Sequence, residues 1–305
     1  MTNTIEYGLR ELEIDGIRVV ELSGVTDLDI ARTFDCGQCF RFEPVEGSRH
    51  EHEFAGVAYG RFVSFGQDGD KIYIYNSDEE DYYNVWRTYL GLDLDYGRIC
   101  EDILSRSDNR ALGEAVAVGR GIRILLQREW ETVCSFIISQ NNNIPRIKKI
   151  ISALSERCGQ KIDVRGMEAH GAPDGVVYAF PTPEAVTRLG VDGVFALKTG
   201  FRAKYIIDAA QKCTDGSVDL RELYHLPTAE AAERLKLIKG IGDKVAACSL
   251  LFGFGKLDAF PVDVWIKKVI ARYFGDDFTA ASLGPYAGVA QQFLFYYERW
   301  LGGQQ

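Results

Sequence analysis

Hydrophobic positions along the 305-residue chain follow two different periods. In the first third, IRVVEL (17–22) and EFAGVAYGRFVSFGQDGDKIYIYN (53–76) alternate β-branched or aromatic residues with polar ones and are broken by Gly and Asp, which predicts antiparallel strands. From Asp78 the period lengthens. In DEEDYYNVWRTYLGL, Tyr82, Val85, Trp86 and Tyr89 fall on one helical face behind an acidic first turn. Helical periods continue through 130–140, 144–159, 181–190, 201–213, 228–240, 243–254, 263–275 and 286–300. The predicted class is α+β: a small N-terminal antiparallel β domain with flanking helices over residues 1–112, then an all-helical domain over 113–305.

Charge modifies the picture once it is divided along the chain. The whole sequence carries −9, which by itself argues against a polyanionic partner. Residues 1–110, however, hold a net −12 and residues 111–305 a net +3. The helical half can therefore meet nucleic acid. No apolar run approaches the roughly 18 residues needed to cross a bilayer, and the polar, acidic start MTNTIEYGLRELEID does not read as a signal or transit peptide. A soluble, intracellular protein without a membrane partner is expected. Seven cysteines are an odd and scattered set, which fits a reducing compartment. Only Cys36 and Cys39 form a C-x-x-C, inviting a thiol redox reading, but Phe40, Arg41 and Phe42 follow with strand-like alternation where a redox motif opens a helix. No second C-x-x-C or His pair completes a zinc site, and His50, His52, His170 and His225 form no ligand set. Neither a metal nor a cofactor is expected.

The stretch LKLIKGIGDKVAACSLLFGF (235–254) carries the chemistry. Gly240 and Gly242 permit positive φ and leave no Cβ between the backbone and a ligand, so N–H groups opening the next helix can approach a phosphate oxygen. A tight turn between two helices would use the same glycines. Lys244 lies in the first turn of the second helix, where the positive end of the macrodipole disfavours an ammonium. An amine so placed is a candidate nucleophile giving a Schiff base, with plain phosphate contact as the simpler use. Asp263, after Pro261 and before a helical pattern, is a natural N-cap whose fixed negative charge can also stabilise a cationic sugar transition state.

A helix-hairpin-helix, then a loop ending in PVDV, with Lys244 and Asp263, resembles the helix-hairpin-helix-GPD superfamily of base-excision DNA glycosylases. Within it, CGQCFRF (36–42), SQNNNIPRI (139–147), TGFRAKYI (199–206) and GPYAGVAQQFLF (284–295) resemble the 8-oxoguanine DNA glycosylase/AP lyase family, over about residues 25–300. The resemblance implies a bifunctional enzyme that flips a damaged nucleotide out of double-stranded DNA, attacks C1′ through Lys244 with help from Asp263, and cleaves by β-elimination. No four-cysteine cluster of the iron–sulfur branch follows the catalytic segment.

The same resemblance distributes the recognition roles. It assigns the acceptor for N7–H of 8-oxoguanine to the Gly37 carbonyl; plain guanine has a lone pair there. Gln291 matches the reader of the Watson–Crick edge, and Phe295, four residues on, the ring that stacks on the base, with Cys248 on the opposite side. Asn141 matches the residue filling the vacated space, Arg146 and Arg202 those bonding the orphan cytosine, and Phe201 a stacking wedge that is usually Tyr. Trp265 stands where many members have His, and Cys39 replaces a small hydroxyl residue. Taken singly, Gly37 also fits a turn, Asn141 a polar loop, the arginines solvated helix charges and Phe295 a core position. The expected protein is a monomer acting on 8-oxoguanine opposite cytosine, in the cytoplasm with the nucleoid if bacterial or in the nucleus if eukaryotic. Rival readings are a glycosylase for other oxidised or alkylated purines, a non-catalytic helix-hairpin-helix module, and the thiol redox protein.

Overall fold

The structure, a computed structural model, describes residues 5–275 and 277–303. The alternating first third forms β1 (Gly8–Ile14), β2 (Ile17–Ser23), β3 (Phe42–Pro44), β4 (His52–Ala58), β5 (Arg61–Asp68) and β6 (Lys71–Tyr75), joined in one antiparallel sheet of order β1-β2-β6-β5-β4-β3. The register pairs Val20 with Ile74, Ile74 with Phe65 and Phe65 with Phe54, so one apolar row crosses four strands. Helix α1 (Ile30–Phe34) sets Phe34 on this row, 5.5 Å from Phe65. The segment predicted from Asp78 is helical: α2 (Glu79–Asp81), a π turn at Tyr82–Trp86 and α3 (Arg87–Tyr89). Trp86 and Tyr89 meet Phe65 at 5.5 and 5.9 Å, edge-on and stacked respectively, closing the sheet core.

The rest is mainly helical: α4 (Tyr96–Ser105), α5 (Arg110–Gly119), α6 (Glu129–Ser139), α7 (Ile144–Cys158), α8 (Pro183–Val194), α9 (Arg202–Thr214), α10 (Thr228–Lys236), α11 (Asp243–Phe254), α12 (Val264–Tyr273) and α13 (Ala287–Gly303). Helix α11 runs through the middle, with Val245, Ala246 and Cys248 through Phe254 buried, because its sequence is apolar on nearly every side. Helix α5 lies so near α13 that a Cβ on Gly119 would meet the Phe293 ring at 2.6 Å.

The architecture is the expected one, with local differences. Helices α4 and α5 add Tyr96, Ile103 and Leu112 to the helical core, and the 112/113 division falls inside α5. A two-stranded hairpin, β7 (Lys161–Asp163) with β8 (Val176–Tyr178), interrupts the helices. Among the described residues no helix is long and apolar enough to cross a membrane.

Two connecting segments enter both cores: that between α5 and α6, with Ile122 and Ile124 in the helical core and Leu125 in the sheet core, and the loop after α1. Between α1 and β3, Cys36 and Phe40 pack into the helical core, while Cys39 and Phe42 pack into the sheet core.

Candidate active site

The predicted hairpin is present, with a shorter first arm. Helix α10 stops at Lys236 and not at Gly240; residues 237–242 form the turn, and α11 starts at Asp243 as expected. Gly240 has φ +83°, and a Cβ there would fall 2.3 Å from Cδ2 of Tyr205, so two constraints require glycine. Gly242 does not use the positive φ that glycine permits. It is extended at φ −103° and caps α11, and a Cβ at this position would have no atom within 4 Å, which leaves the helix N-terminus open. Lys239 N–H donates to Asp208 Oδ2 at 2.8 Å and Lys212 Nζ to the Leu237 carbonyl at 2.6 Å, fastening the turn to α9.

Lys244 follows in the first turn of α11, half-buried, with Nζ 5.2 Å from the centroid of the Phe136 ring. Cys248, one turn on, is buried. Burial pushes its thiol up, against the neighbouring Lys244, which pulls it down, with the Asp263 charge a smaller push up. Asp263 is indeed the N-cap of α12: Oδ1 accepts from Trp265 N at 2.9 Å and Ile266 N at 2.8 Å. Capping fixes the carboxylate without using Oδ2, which accepts no bond among the described residues.

Base-recognition candidates converge nearby. Phe40 stands edge-on to Phe136 at 5.7 Å, linking the lysine wall to the loop of Gly37. Gly37 has φ +78°, and the nearest atom to a Cβ there is Cε1 of Phe295 at 3.6 Å. Phe295 and Gln291 project from the same side of α13, four residues apart. Gln291 is 5 % exposed, yet its Oε1 is buried and unpartnered among the described residues. A buried amide oxygen without a donor is costly unless a ligand supplies one. Arg299, a further turn along, covers the Phe295 ring at 5.9 Å.

The orphan-base candidates cluster at the α6–α7 turn and the start of α9. Asn141 is exposed with φ +48°. Arg146, also exposed, donates to the Lys198 carbonyl at 3.2 Å. Arg202 departs from its expected role. It is 3 % exposed and donates to the carbonyls of Gln140, Asn141 and Thr199, which engages four of its five N–H groups. Burial, then the neighbouring Arg146, pushes its pKa down. Its position suits holding the Asn141 loop in shape more than reading a base edge. Phe201 is 54 % exposed, braced edge-on by Tyr205 at 5.9 Å and faced by Arg202 at 4.5 Å. Trp265 is 44 % exposed with Lys268 Nζ 5.0 Å over its ring.

The thiol redox reading fails on burial. Cys36 and Cys39 are buried free cysteines; burial pushes the Cys36 thiol up to about 12, and Cys39 higher still. His50 is held by Asp68 and Tyr75, and His170 by Glu53, all within the sheet and its hairpin contact. Sequence reasoning missed Gln38, Gln127 and Gln292. Gln38 is fully buried, donates to the Thr33 and Arg123 carbonyls at 2.9 and 2.8 Å, and accepts from Leu125 N at 2.8 Å. A glutamine next to a loop glycine was the only available signal.

Residues 22–133 match a family model described as 8-oxoguanine DNA glycosylase, N-terminal domain, and residues 134–281 one described as HhH-GPD superfamily base excision DNA repair protein. A solved structure of MBOgg1 with a low affinity DNA ligand is 37 % identical with TM-score 0.87, covering 98 % of this chain and 100 % of that one. The Clostridium acetobutylicum 8-oxoguanine glycosylase/lyase, in complex with double-stranded DNA containing cytosine opposite 8-oxoguanine, is 34 % identical with TM-score 0.85, covering 98 % and 100 %. The N-glycosylase/DNA lyase OGG1 of Arabidopsis thaliana is 29 % identical over 291 residues, 92 % of this chain and 76 % of that protein.

Proposed function

From the premise that the chain belongs to the 8-oxoguanine DNA glycosylase family of helix-hairpin-helix-GPD repair proteins, a base-excision glycosylase with lyase activity, we propose that it removes 8-oxoguanine opposite cytosine through a Lys244 Schiff base. The observations that support the chemistry are Lys244 in the first turn of α11, over the Phe136 ring and one turn from the buried Cys248, and Asp263 fixed as the N-cap of α12. The Lys244 amine forms a bond to C1′ as the C1′–N9 bond breaks and its electron pair leaves with the base. Positive charge builds on the sugar in that step, and the capped Asp263 carboxylate is the group that would stabilise it. Ring opening gives the protonated imine, which makes the C2′ hydrogen acidic. Its loss drives out the 3′ phosphate by β-elimination.

Substrate choice is supported by two acceptors. The Gly37 carbonyl accepts no hydrogen bond among the described residues, and Gln291 Oε1 is buried without a donor. Only the oxidised base has N–H at N7; guanine would set two lone pairs against each other at Gly37, a loss of roughly 1–3 kcal/mol. Asn141, Arg146 and Phe201 form the exposed side that would fill and hold the opened duplex, with Arg202 beneath. The partner is duplex DNA, met by a monomer in the compartment that holds the genome.

Borohydride trapping on duplexes with 8-oxoguanine opposite each base tests this. A covalent adduct is expected with 8-oxoguanine opposite cytosine and none with Lys244→Gln. An adduct formed by Lys244→Gln at the wild-type rate removes the nucleophile assignment, and equal processing of plain guanine removes the substrate.

A further inference from the structure

The loop that carries Gly37 has its carbonyls committed in a specific pattern. Arg299 Nη1 donates to the Asp35 carbonyl at 2.8 Å. Gln292 Nε2 donates to the Cys36 carbonyl at 2.8 Å, and Gln127 Nε2 to the Gln38 carbonyl at 2.7 Å. Between them, the Gly37 carbonyl has no donor among the described residues. The two glutamines come from different elements: Gln292, 3 % exposed, from α13, and Gln127 from the segment before α6.

Glycine explains why such fastening matters. Rotating the peptide that follows residue 37 changes ψ at 37 and φ at 38, and Gly37, at φ +78° and with no Cβ, restricts that ψ less than any other residue would. The plane between Gly37 and Gln38 can present either its C=O or its N–H to the base slot. A C=O selects a base with hydrogen on N7, and an N–H selects the N7 lone pair of undamaged guanine. Rotation of one peptide would therefore invert the preference of the site. Pinning the carbonyls before and after it removes that freedom.

We infer that Gln292 and Gln127 are positioning residues for lesion specificity, holding the Gly37 carbonyl toward the base by fixing both adjacent peptides. Gln292 adjoins Gln291 in sequence, so α13 carries both the proposed reader of the base edge and one of the two fastenings. The inference rests on the reading of Gly37 given above.

Gln292→Leu and Gln127→Ala test it separately, each measured for single-turnover excision of 8-oxoguanine opposite cytosine, for the ratio of duplex affinities with 8-oxoguanine against guanine, and for β-elimination at a preformed abasic site. The abasic substrate has no base to meet Gly37. The expected result is a loss of about tenfold in excision and in the affinity ratio, the effect of one net hydrogen bond, with β-elimination within about twofold of wild type. Gln292→Glu, which sets an acceptor against the Cys36 carbonyl, should lose more than Gln292→Leu. An affinity ratio unchanged in both single variants overturns the inference, as does a parallel fall of excision and β-elimination, the mark of general destabilisation. If the wild-type protein itself fails to distinguish the two bases, the reading of Gly37 fails and the inference with it, a result visible before any variant is made.

Discussion

The two hairpin glycines should separate cleanly under the same substitution. Alanine at Gly240 must adopt φ +83°, a left-handed conformation costing about 1–2 kcal/mol. Its Cβ would also stand 2.3 and 2.4 Å from Cδ2 and Cγ of Tyr205. Those atoms lie near the root of the side chain, and the ring is packed against Phe201, so the turn must lift. Overpacking of this kind adds about 1–3 kcal/mol. The sum, about 2–5 kcal/mol, is a large share of an ordinary total of about 5–15 kcal/mol. In a chain of 305 residues that corresponds to a fall in Tm of roughly 3–8 °C. Gly242→Ala meets neither obstacle, with φ −103° and open space around the new methyl group. Its effect on stability should stay within about 0.5 kcal/mol. Both variants should bind DNA at least about tenfold more weakly, Gly240→Ala because the turn moves and Gly242→Ala because its methyl group stands in front of the α11 N–H groups. Thermal unfolding followed by circular dichroism, with fluorescence anisotropy on a duplex carrying an abasic-site analogue, reads both quantities. A Gly240→Ala protein that melts within about 2 °C of wild type would refute the clearance argument, and wild-type affinity in Gly242→Ala would refute the role of the open helix end.

Other outcomes follow from groups already described. Asp263→Asn keeps an acceptor for Trp265 N and Ile266 N and should melt near wild type while losing about 10²-fold or more in excision; Asp263→Ala should in addition lose about 1 kcal/mol of stability by denaturant titration. With its thiol pushed up to about 12 by burial, Cys36 should resist alkylation in the native protein at pH 8 and react only on unfolding, and Cys36→Ala should still form the borohydride adduct. Burial alone would raise the Glu53 carboxyl, but bonds from His170, Ser48 and Ser64 outweigh it and hold it below its ordinary 4.5. A depressed carboxyl stabilises the fold above pH 4.5, and that contribution is lost as pH falls through the folded value. Denaturation midpoints across pH 3–7 should therefore drop at the acid end, and Glu53→Gln should flatten that drop.

What is legible in the chain and what is not divides by the range of the interaction. Strands β2 and β4–β6 and most of the helices from α6 onward carry strong local periods, and Lys244 and Asp263 mark helix starts by residue type alone. Strand β1 escapes prediction because GLRELEI, an edge strand largely exposed on both faces, lacks the apolar alternation that burial imposes. Strands β7 and β8 are three residues each, too short for a period. The backbone of Gly242 is not legible either, because a G-x-G says that bulk is absent, not which sign φ takes. Gln292 could not be found at all: its acceptor lies 256 residues away, and nothing local distinguishes it from a core glutamine. Arg202 has the same difficulty in reverse, since a guanidinium on a helix start looks free until the carbonyls it holds are known.

The loop from Cys36 to Phe42, whose side chains enter alternate cores, also bears on the order in which the protein gains its abilities during folding. Helices α11 and α12 could bring the lysine and its carboxylate together inside the helical half alone. The Gly37 carbonyl sits in the loop whose Cys39 and Phe42 pack in the sheet core and whose Cys36 and Phe40 pack among the helices. On the proposed reading of Gly37, discrimination should therefore require both halves to be docked and be lost when they part. A chain caught with its sheet undocked would retain an amine suited to open abasic sugars, but no means of telling a damaged purine from a sound one.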